Sequence, residues 1–376
     1  MGIAADPAGD YVYVVSTNFD AGKTGSTVVP VSVETNEILA GSAIEIGSFA
    51  GEIAVAEQDG VGVVGYVAVR EGDVIEYFDI DRSSGVPVLR CGPRPDDGSL
   101  ALCDAGHEVE PIGAPQDLIG THKDPFALAL GASPDGGDRW LYSGSIVDGT
   151  FSVLPLGHDM KPVPGQAVKL EAGLHSIVEG PVIDGHRRVY ASNRMTNALH
   201  VLDVWSEAGV PRIRVLDALQ VAQVSASGNF FRGLALSKDK RTLYAAFHSP
   251  ASLAVIDIDA EGNADMRGLI PLGESPAGVA VAHDDGSGED RVYVTDYMGD
   301  SVYSVDPMAM DVVGRTFVNE GPYGITIVRN KGLNLHRAYV TCFEEGKVDV
   351  IDVDPTSDTY DTVVAVIPAD ADQGVE

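Results

Sequence analysis

Basic side chains are scarce in this chain. Lysine and arginine together number 25, with only eight lysines, against 56 acidic residues in 376, for a formal charge of −31. A surface of that sign repels phosphate backbones and anionic lipid, which argues against nucleic acid as a partner and leaves cations and basic proteins compatible. Acidity that keeps an exported protein soluble, or suits saline surroundings, is the plainer account than a specific cationic ligand. No run approaches 18 apolar residues, so no membrane-spanning helix is expected. A charged segment followed by an apolar one is also missing, and Met1-Gly2-Ile3 leads directly into a repeat. The expectation is that an export signal, a lipid anchor or a flanking domain was removed upstream.

Cysteine is nearly absent. Of three, Cys91 and Cys103 bracket a polar loop rich in proline and glycine, and Cys342 stands alone in the strand-like Tyr339 to Phe343. Such a loop offers no strand in which two thiols could be buried separately, so a local disulfide is expected. It would stabilise by roughly 3 kcal/mol in the chain-entropy model. It also implies an oxidising compartment: extracellular, cell-surface or periplasmic. No second cysteine pair accompanies it, which argues against zinc, and Cys342 reads as a buried free thiol.

What the sequence has in quantity is repetition. Gly278 to Val281, Arg291 to Thr295 and Asp300 to Asp306 repeat the pattern of Gly324 to Ile327, Arg337 to Thr341 and Lys347 to Asp352, and of Gly233 to Leu236, Arg241 to Ala245 and Ser252 to Asp257. Each unit is a glycine- or proline-led apolar run, a tyrosine-bearing run, an alternating run ending near an acidic turn, and a fourth apolar run. Four short strands in a repeat of roughly 45 to 50 residues predict a β-propeller. Division at the inner-strand starts gives seven units, 2–49, 50–122, 123–173, 174–226, 227–276, 277–321 and 322–376. The expectation is one all-β domain over 1–376, a seven-bladed propeller of four-stranded antiparallel blades. Both terminal blades would be contiguous in sequence, so the ring should close by packing, without a shared strand. Unit two is too long, and its excess, 90–121, reads as a disulfide-stapled loop projecting from its blade.

The run Arg291-Val-Tyr-Val-Thr-Asp-Tyr-Met-Gly-Asp-Ser-Val-Tyr-Ser-Val-Asp306 resembles the repeat of YVTN-type seven-bladed propellers, as do Arg188 to Asp203 and Arg337 to Asp352. The resemblance is good over 174–376 and looser over 1–173. It implies the fold more than the function, because such repeats occur in surface-layer proteins, exported binding proteins, lactonase-like enzymes and heavy chains of quinone amine dehydrogenases.

In a four-stranded blade the start of the inner strand and the turn between the second and third strands share one face of the ring. That face collects Asn18, Asp20, Lys23, Glu52, Arg70, Glu71, His122, Asp124, Asp148, Glu179, Phe230, Asp296, Asp300, Glu344 and Glu345. With them come the cationic and aromatic residues taken as the candidate binding set: His175, Arg194, Phe231, Arg232, His248, Tyr297 and Tyr323. Aromatic and cationic groups on an acidic protein suit recognition by stacking and charge-assisted hydrogen bonds. Pairing of Arg194 and Arg232 with carboxylates such as Glu179 is the competing account. Motifs of the metalloprotease, c-type haem and hydrolase-elbow kinds do not occur, so no catalytic residue and no cofactor is assigned. Acidic turns at 257–265, 284–290 and 352–361 offer oxygen ligands for calcium but complete no EF-hand. The preferred expectation is an exported non-enzymatic propeller that binds a protein, polymer or cell-surface component. The alternative is a propeller enzyme, a lactonase-like hydrolase or lyase, with a His and a carboxylate in the axial funnel. A funnel lined by mutually hydrogen-bonded ionisable groups would favour the enzyme.

Overall fold

The computed structural model describes residues 2–17, 25–58, 60–111, 123–220, 231–283 and 290–368. Among these the strands form seven sheets, over 3–46, 50–109, 125–169, 174–220, 231–271, 276–317 and 322–368. Apart from the short strands Ala101–Leu102 and Glu108–Val109, neighbouring strands within each blade follow one another in the chain and pair antiparallel. The only described helices are single 3₁₀ turns, Ala40–Ser42 and Ala105–His107. The protein is a seven-bladed β-propeller.

The recurring tyrosine explains how blades adhere. Tyr66, Tyr142, Tyr190, Tyr244, Tyr293 and Tyr339 are buried on second strands, and each donates its hydroxyl to the following blade. The acceptors are the Met160 carbonyl (2.6 Å), Glu179 (3.3 Å), the Gly262 carbonyl (3.2 Å), Asp290 (3.4 Å), Asp361 (2.9 Å) and Asn36 (3.0 Å). The ring supplies the apolar bulk between blades, while the phenol finds the partner that a buried hydroxyl requires.

The last of these bonds crosses the seam between blades seven and one. There Asn330 also donates to the Gly9 carbonyl and to Asp10, and Arg337 donates to the Val33 carbonyl and to Asn36. Ile3–Ala5 pairs only with Tyr11–Ser16, and Val363–Pro368 only with Lys347–Asp352. Among the described residues the seam is therefore closed by side chains and packing, with no strand exchanged.

The segment after residue 90 departs from expectation. Cys91 and Cys103 are bonded, with S–S 2.03 Å, and Cys342 is free and buried. Instead of projecting, the described part of the segment is a strap. Ala101–Leu102 pairs parallel with Ile44–Ile46 at the edge of blade one, and Glu108–Val109 pairs with Val74–Asp81 of blade two. Arg94 donates to the Gly41 carbonyl at 2.6 Å and Tyr77 to the Gly106 carbonyl at 2.6 Å. Blade two has only the short Val88–Arg90 as its own fourth strand, so unpaired edges remain for the strap to satisfy. Residues 112–121 lie outside the described residues.

Candidate functional site

The inner strands of blades two to seven each carry a register shift at the end where they start, for example between Pro276 and Val279 and between Pro322 and Ile325. A bulge lifts a residue out of the ladder and re-aims its side chain. The residues so placed include Phe126, His175, Arg232 and Tyr323, and all four line the axis. One residue further on, the slot holds Gly2, Gly233, Gly278 and Gly324 in four blades, but Glu52 in blade two. A Cβ at Gly278 would lie 2.4 Å from the Tyr323 carbonyl oxygen and one at Gly233 2.6 Å from that of Ala277, so glycine there lets adjacent inner strands approach. Next along lies an aliphatic ring with one member per blade: Ile3, Ile53, Leu128, Ile177, Leu234, Val279 and Ile325.

Second-strand hydroxyls fix the bulges from one blade to the next. Ser192 accepts from the Ser176 N–H (3.0 Å) and donates to the Arg232 carbonyl (2.6 Å). Thr295 accepts from the Gly278 N–H (2.7 Å) and donates to the Tyr323 carbonyl (2.9 Å). The depth of Arg232 and Tyr323 is thus set by the preceding blade.

Two cavities follow one another along the axis. The funnel, about 290 Å³, is walled by Glu52, Arg70, Phe126, Arg194, Arg232, Tyr297, Tyr323 and Phe343. Below it runs a channel of about 230 Å³ lined by His175, Ser176 and the aliphatic ring. Gly2, Glu52 and Tyr323 belong to both. A larger cavity of about 590 Å³ at the junction of blades six and seven, walled by Arg291, Asp354 and Tyr360, shares no residue with this pair.

At the boundary His175 Nε2 and the Tyr323 hydroxyl share a hydrogen bond of 2.7 Å. Phe126 lies against the imidazole at 4.8 Å, and Tyr297 meets Tyr323 edge-on at 6.3 Å. Tyr297 in turn donates to Glu344. Arg70 forms a two-pronged ion pair with Asp124, its Nη2 reaching Oδ2 at 2.9 Å, and lies over Phe126. Arg194 and Arg232 differ: neither guanidinium has a carboxylate partner among the described residues. Glu179, the partner expected from sequence, is taken by Arg187 at 3.2 Å and Lys240 at 3.7 Å.

The electrostatics follow from burial. Desolvation pushes the Glu52 carboxyl up to about 8, although the Leu128 N–H donates to it at 2.9 Å. Glu52 keeps some exposed surface, and the cavities are what it faces. Burial foremost, then Arg194 and Arg232, holds His175 well below the usual imidazole range, so the ring is neutral. Its Nδ1 is buried without a partner of hydrogen-bond geometry, and the neighbouring Arg232 carbonyl only weakly opposes the shift. Burial lowers Arg232, an effect that Tyr323 partly offsets. Burial also raises Tyr323 and, with Glu344, raises Tyr297 to about 12.

Of the candidate set, Arg194, Arg232, Tyr297 and Tyr323 converge on the funnel and His175 on the channel just below. His248 stands beside Arg232, close enough for the guanidinium to depress its pKa after burial, but lines neither cavity. Phe231 is fully buried, packed edge-on against Phe247 at 4.9 Å. The bulge turns Arg232 to the axis and its neighbour into the blade. Asn18, Asp20, Lys23, His122 and Phe230 lie outside the described residues. Glu52, Arg70 and Phe126 are the members that the candidate set omitted. The legible signal for Glu52 was its occupation of a slot that glycine fills in four other blades. Among the described residues no group of three or more His, Cys, Asp or Glu side chains is disposed to hold a metal ion.

No protein-family model matches the chain, and no curated protein does. Solved structures do. A protein provisionally named a 6-phosphogluconolactonase from Bacteroides fragilis is 15% identical, with TM-score 0.67 over 98% of each chain. The periplasmic gluconolactonase of Pseudomonas aeruginosa is 16% identical, with TM-score 0.66 over 96% of this chain and 97% of its own. Hydrazine synthase of Kuenenia stuttgartiensis is 15% identical, with TM-score 0.61 over 93% of this chain and 94% of its own. At such identity the likeness is one of fold, and the chain is a seven-bladed propeller whose structural neighbours include lactonase-like proteins.

Proposed function

We propose that this protein opens an anionic lactone by hydrolysis in the axial funnel. The observation that carries the reading is two guanidinium groups, Arg194 and Arg232, without a carboxylate partner among the described residues, on a protein of charge −31. They converge with a desolvated carboxyl and a neutral His–Tyr pair. Partly buried cations without counter-ions suit an anion from outside. The lactonase-like names of two structural neighbours add support. They turn the preference from the non-enzymatic scaffold to the enzyme.

In this reading the substrate's anionic group lies against Arg194 and Arg232. Ionised Glu52 takes a proton from water as the water oxygen bonds to the lactone carbonyl carbon. The oxyanion is met by the Tyr323 hydroxyl and the Arg232 guanidinium. Collapse breaks the ring C–O bond, and Glu52 returns the proton to the departing alkoxide. The product is a hydroxy acid. The disulfide is further support for an oxidising compartment.

The test is proton release on mixing the protein with glucono-δ-lactone and with its 6-phosphate ester. Hydrolysis above the spontaneous rate, faster for the phosphate, is expected. Arg232→Ala should abolish the preference for the phosphate. Equal rates with and without protein on both lactones would overturn the reading and restore the binding propeller.

A further inference from the structure

Three guanidinium groups stand on the funnel wall, and among the described residues that of Arg70 alone has a carboxylate partner. The partner, Asp124, stands behind Arg70 and is not on the wall itself. Nε and Nη2 of Arg70 both face its carboxylate, so the planar fork leaves Nη1 as the donor on the side away from the pair. Every polar group of Asp124 is engaged: its N–H donates to Asp73 Oδ1 at 2.7 Å, and its carbonyl accepts from the Ile146 N–H at 3.1 Å. Its backbone is left-handed, with φ 61°, although Pro125 follows and the residue before a proline favours extended backbone. Conformations of this kind persist where the surroundings over-determine them, and they gather at functional sites. The pairing also has a direction. Arg70 and Glu52 belong to blade two, Arg194 to blade four and Arg232 to blade five, and blades two and five are as far apart as a ring of seven permits. With Arg70 neutralised, the uncompensated charge of the funnel lies on one side of the axis, and Glu52 lies on the other.

We propose that Asp124 determines the direction in which the substrate lies in the funnel, by cancelling the charge of Arg70. The anionic group then finds uncompensated cations only at Arg194 and Arg232. The uncharged lactone end falls to the side of blade two, above Glu52 and beside Arg70 and the Phe126 ring. Without the carboxylate a third cation would stand on the side of Glu52, the anion would lie there as readily, and the lactone carbonyl would point away from the base. This rests on the reading of the funnel as a lactone-opening site, and it names Asp124 as a specificity-determining residue that acts through Arg70.

Inorganic phosphate, titrated calorimetrically into the intact protein, reads the charge of the wall. Asp124→Asn keeps the shape and tolerates the left-handed backbone but uncovers Arg70, so phosphate should bind about tenfold tighter. Arg70→Met leaves the carboxylate bare, and phosphate should bind about threefold more weakly. The double variant, with both charges gone, should return to the wild-type affinity. On the 6-phosphate ester of glucono-δ-lactone, Asp124→Asn should lower kcat and KM together, as tight binding in the unproductive direction requires. A merely structural aspartate would lower kcat and leave KM unchanged or raised. Phosphate affinity unchanged or weakened in folded Asp124→Asn overturns the proposal, and so, if that variant does not fold, does unchanged or tighter binding by Arg70→Met. Opposite shifts in the two single variants with no lactone opened retain the one-sided anion site and remove the hydrolase, whereas hydrolysis with both affinities unmoved removes the role of Asp124 alone.

Discussion

Glu52 is a carboxyl in a position that other blades keep for glycine, and its environment has two measurable consequences. In the folded state its pKa of about 8 lies above the ordinary 4.5, so the folded protein holds a proton that the unfolded chain releases between those values. Stability contributed by the protonated carboxyl is full below about pH 4.5 and is lost as the pH rises through 8. Glu52→Gln, which keeps an acceptor for the Leu128 N–H, should match the wild type in melting temperature at pH 4.5 and exceed it at pH 9. Hydrolysis should run the other way. If Glu52 is the base, kcat/KM rises about tenfold per pH unit up to about 8 and then flattens, and the Gln variant loses at least a hundredfold at every pH. A profile flat from pH 6 to 9 would remove Glu52 from that role. His175 behaves oppositely: held neutral by burial and by Arg194 and Arg232, it contributes stability that is lost as the pH falls below 6.5. Arg232 and Tyr323 were named from the sequence by the face on which their strands start, and they come together at the axis because the bulged inner strands start at equal depth. Phe231 was misread because neighbours in a bulge point to opposite sides, which periodicity alone does not resolve. The freedom of Arg194 and Arg232 was not legible, since it depends on Arg187 and Lys240 reaching Glu179 first.

At the scale of strands, site geometry is an inter-blade property. The Ser192 and Thr295 hydroxyls each join the bulge of their own blade to the carbonyl of the residue that the next blade turns inward. Thr295→Val keeps the volume and removes both bonds, leaving the Gly278 N–H and the Tyr323 carbonyl short of a partner at a cost of about 1–3 kcal/mol. Its larger expected effect is on the site. The Tyr323 ring should shift relative to His175, lowering kcat more than it raises KM, whereas Ser133→Ala, remote from the axis, should change neither. Equal kinetics for Thr295→Val and the wild type would show that the bulge holds Tyr323 unaided. The tyrosine of each second strand was visible in the sequence as a repeated apolar mark, but its hydroxyl was not assigned a partner, because that partner lies on the following blade. Tyr293→Phe, which deprives Asp361 of a bond of 2.9 Å, should lower stability by about 1 kcal/mol and leave the funnel unaltered.

For the molecule as a whole, architecture was more legible than function because a repeat announces its fold seven times and its site once. The strap was only half legible. Its disulfide followed from cysteine spacing, but its attachment to two blades depended on edges left unpaired by the short Val88–Arg90. Reduction should therefore loosen blades one and two together. Treatment with dithiothreitol should lower stability by roughly 3 kcal/mol, with amide exchange accelerating first at Ile44–Ile46 and Val74–Asp81. Exchange accelerating uniformly around the ring would sink this account.

The seam between blades seven and one has a topological consequence. Apart from the strap strand Ala101–Leu102 added to the edge of blade one, every blade is drawn from one continuous stretch of chain, so the ring has no privileged starting point. From the outer strand of blade six to the inner strand of blade seven the chain needs only residues 318–321. A link of comparable length from Pro368 to Ile3 would make blade seven lead into blade one as any blade leads into the next. A circularly permuted chain cut between blades three and four, beginning at 174 and ending at 173, would keep all seven sheets, the interlocking tyrosines and the axial stack of side chains. The order in which the blades are synthesised is thus separable from the ring that they build.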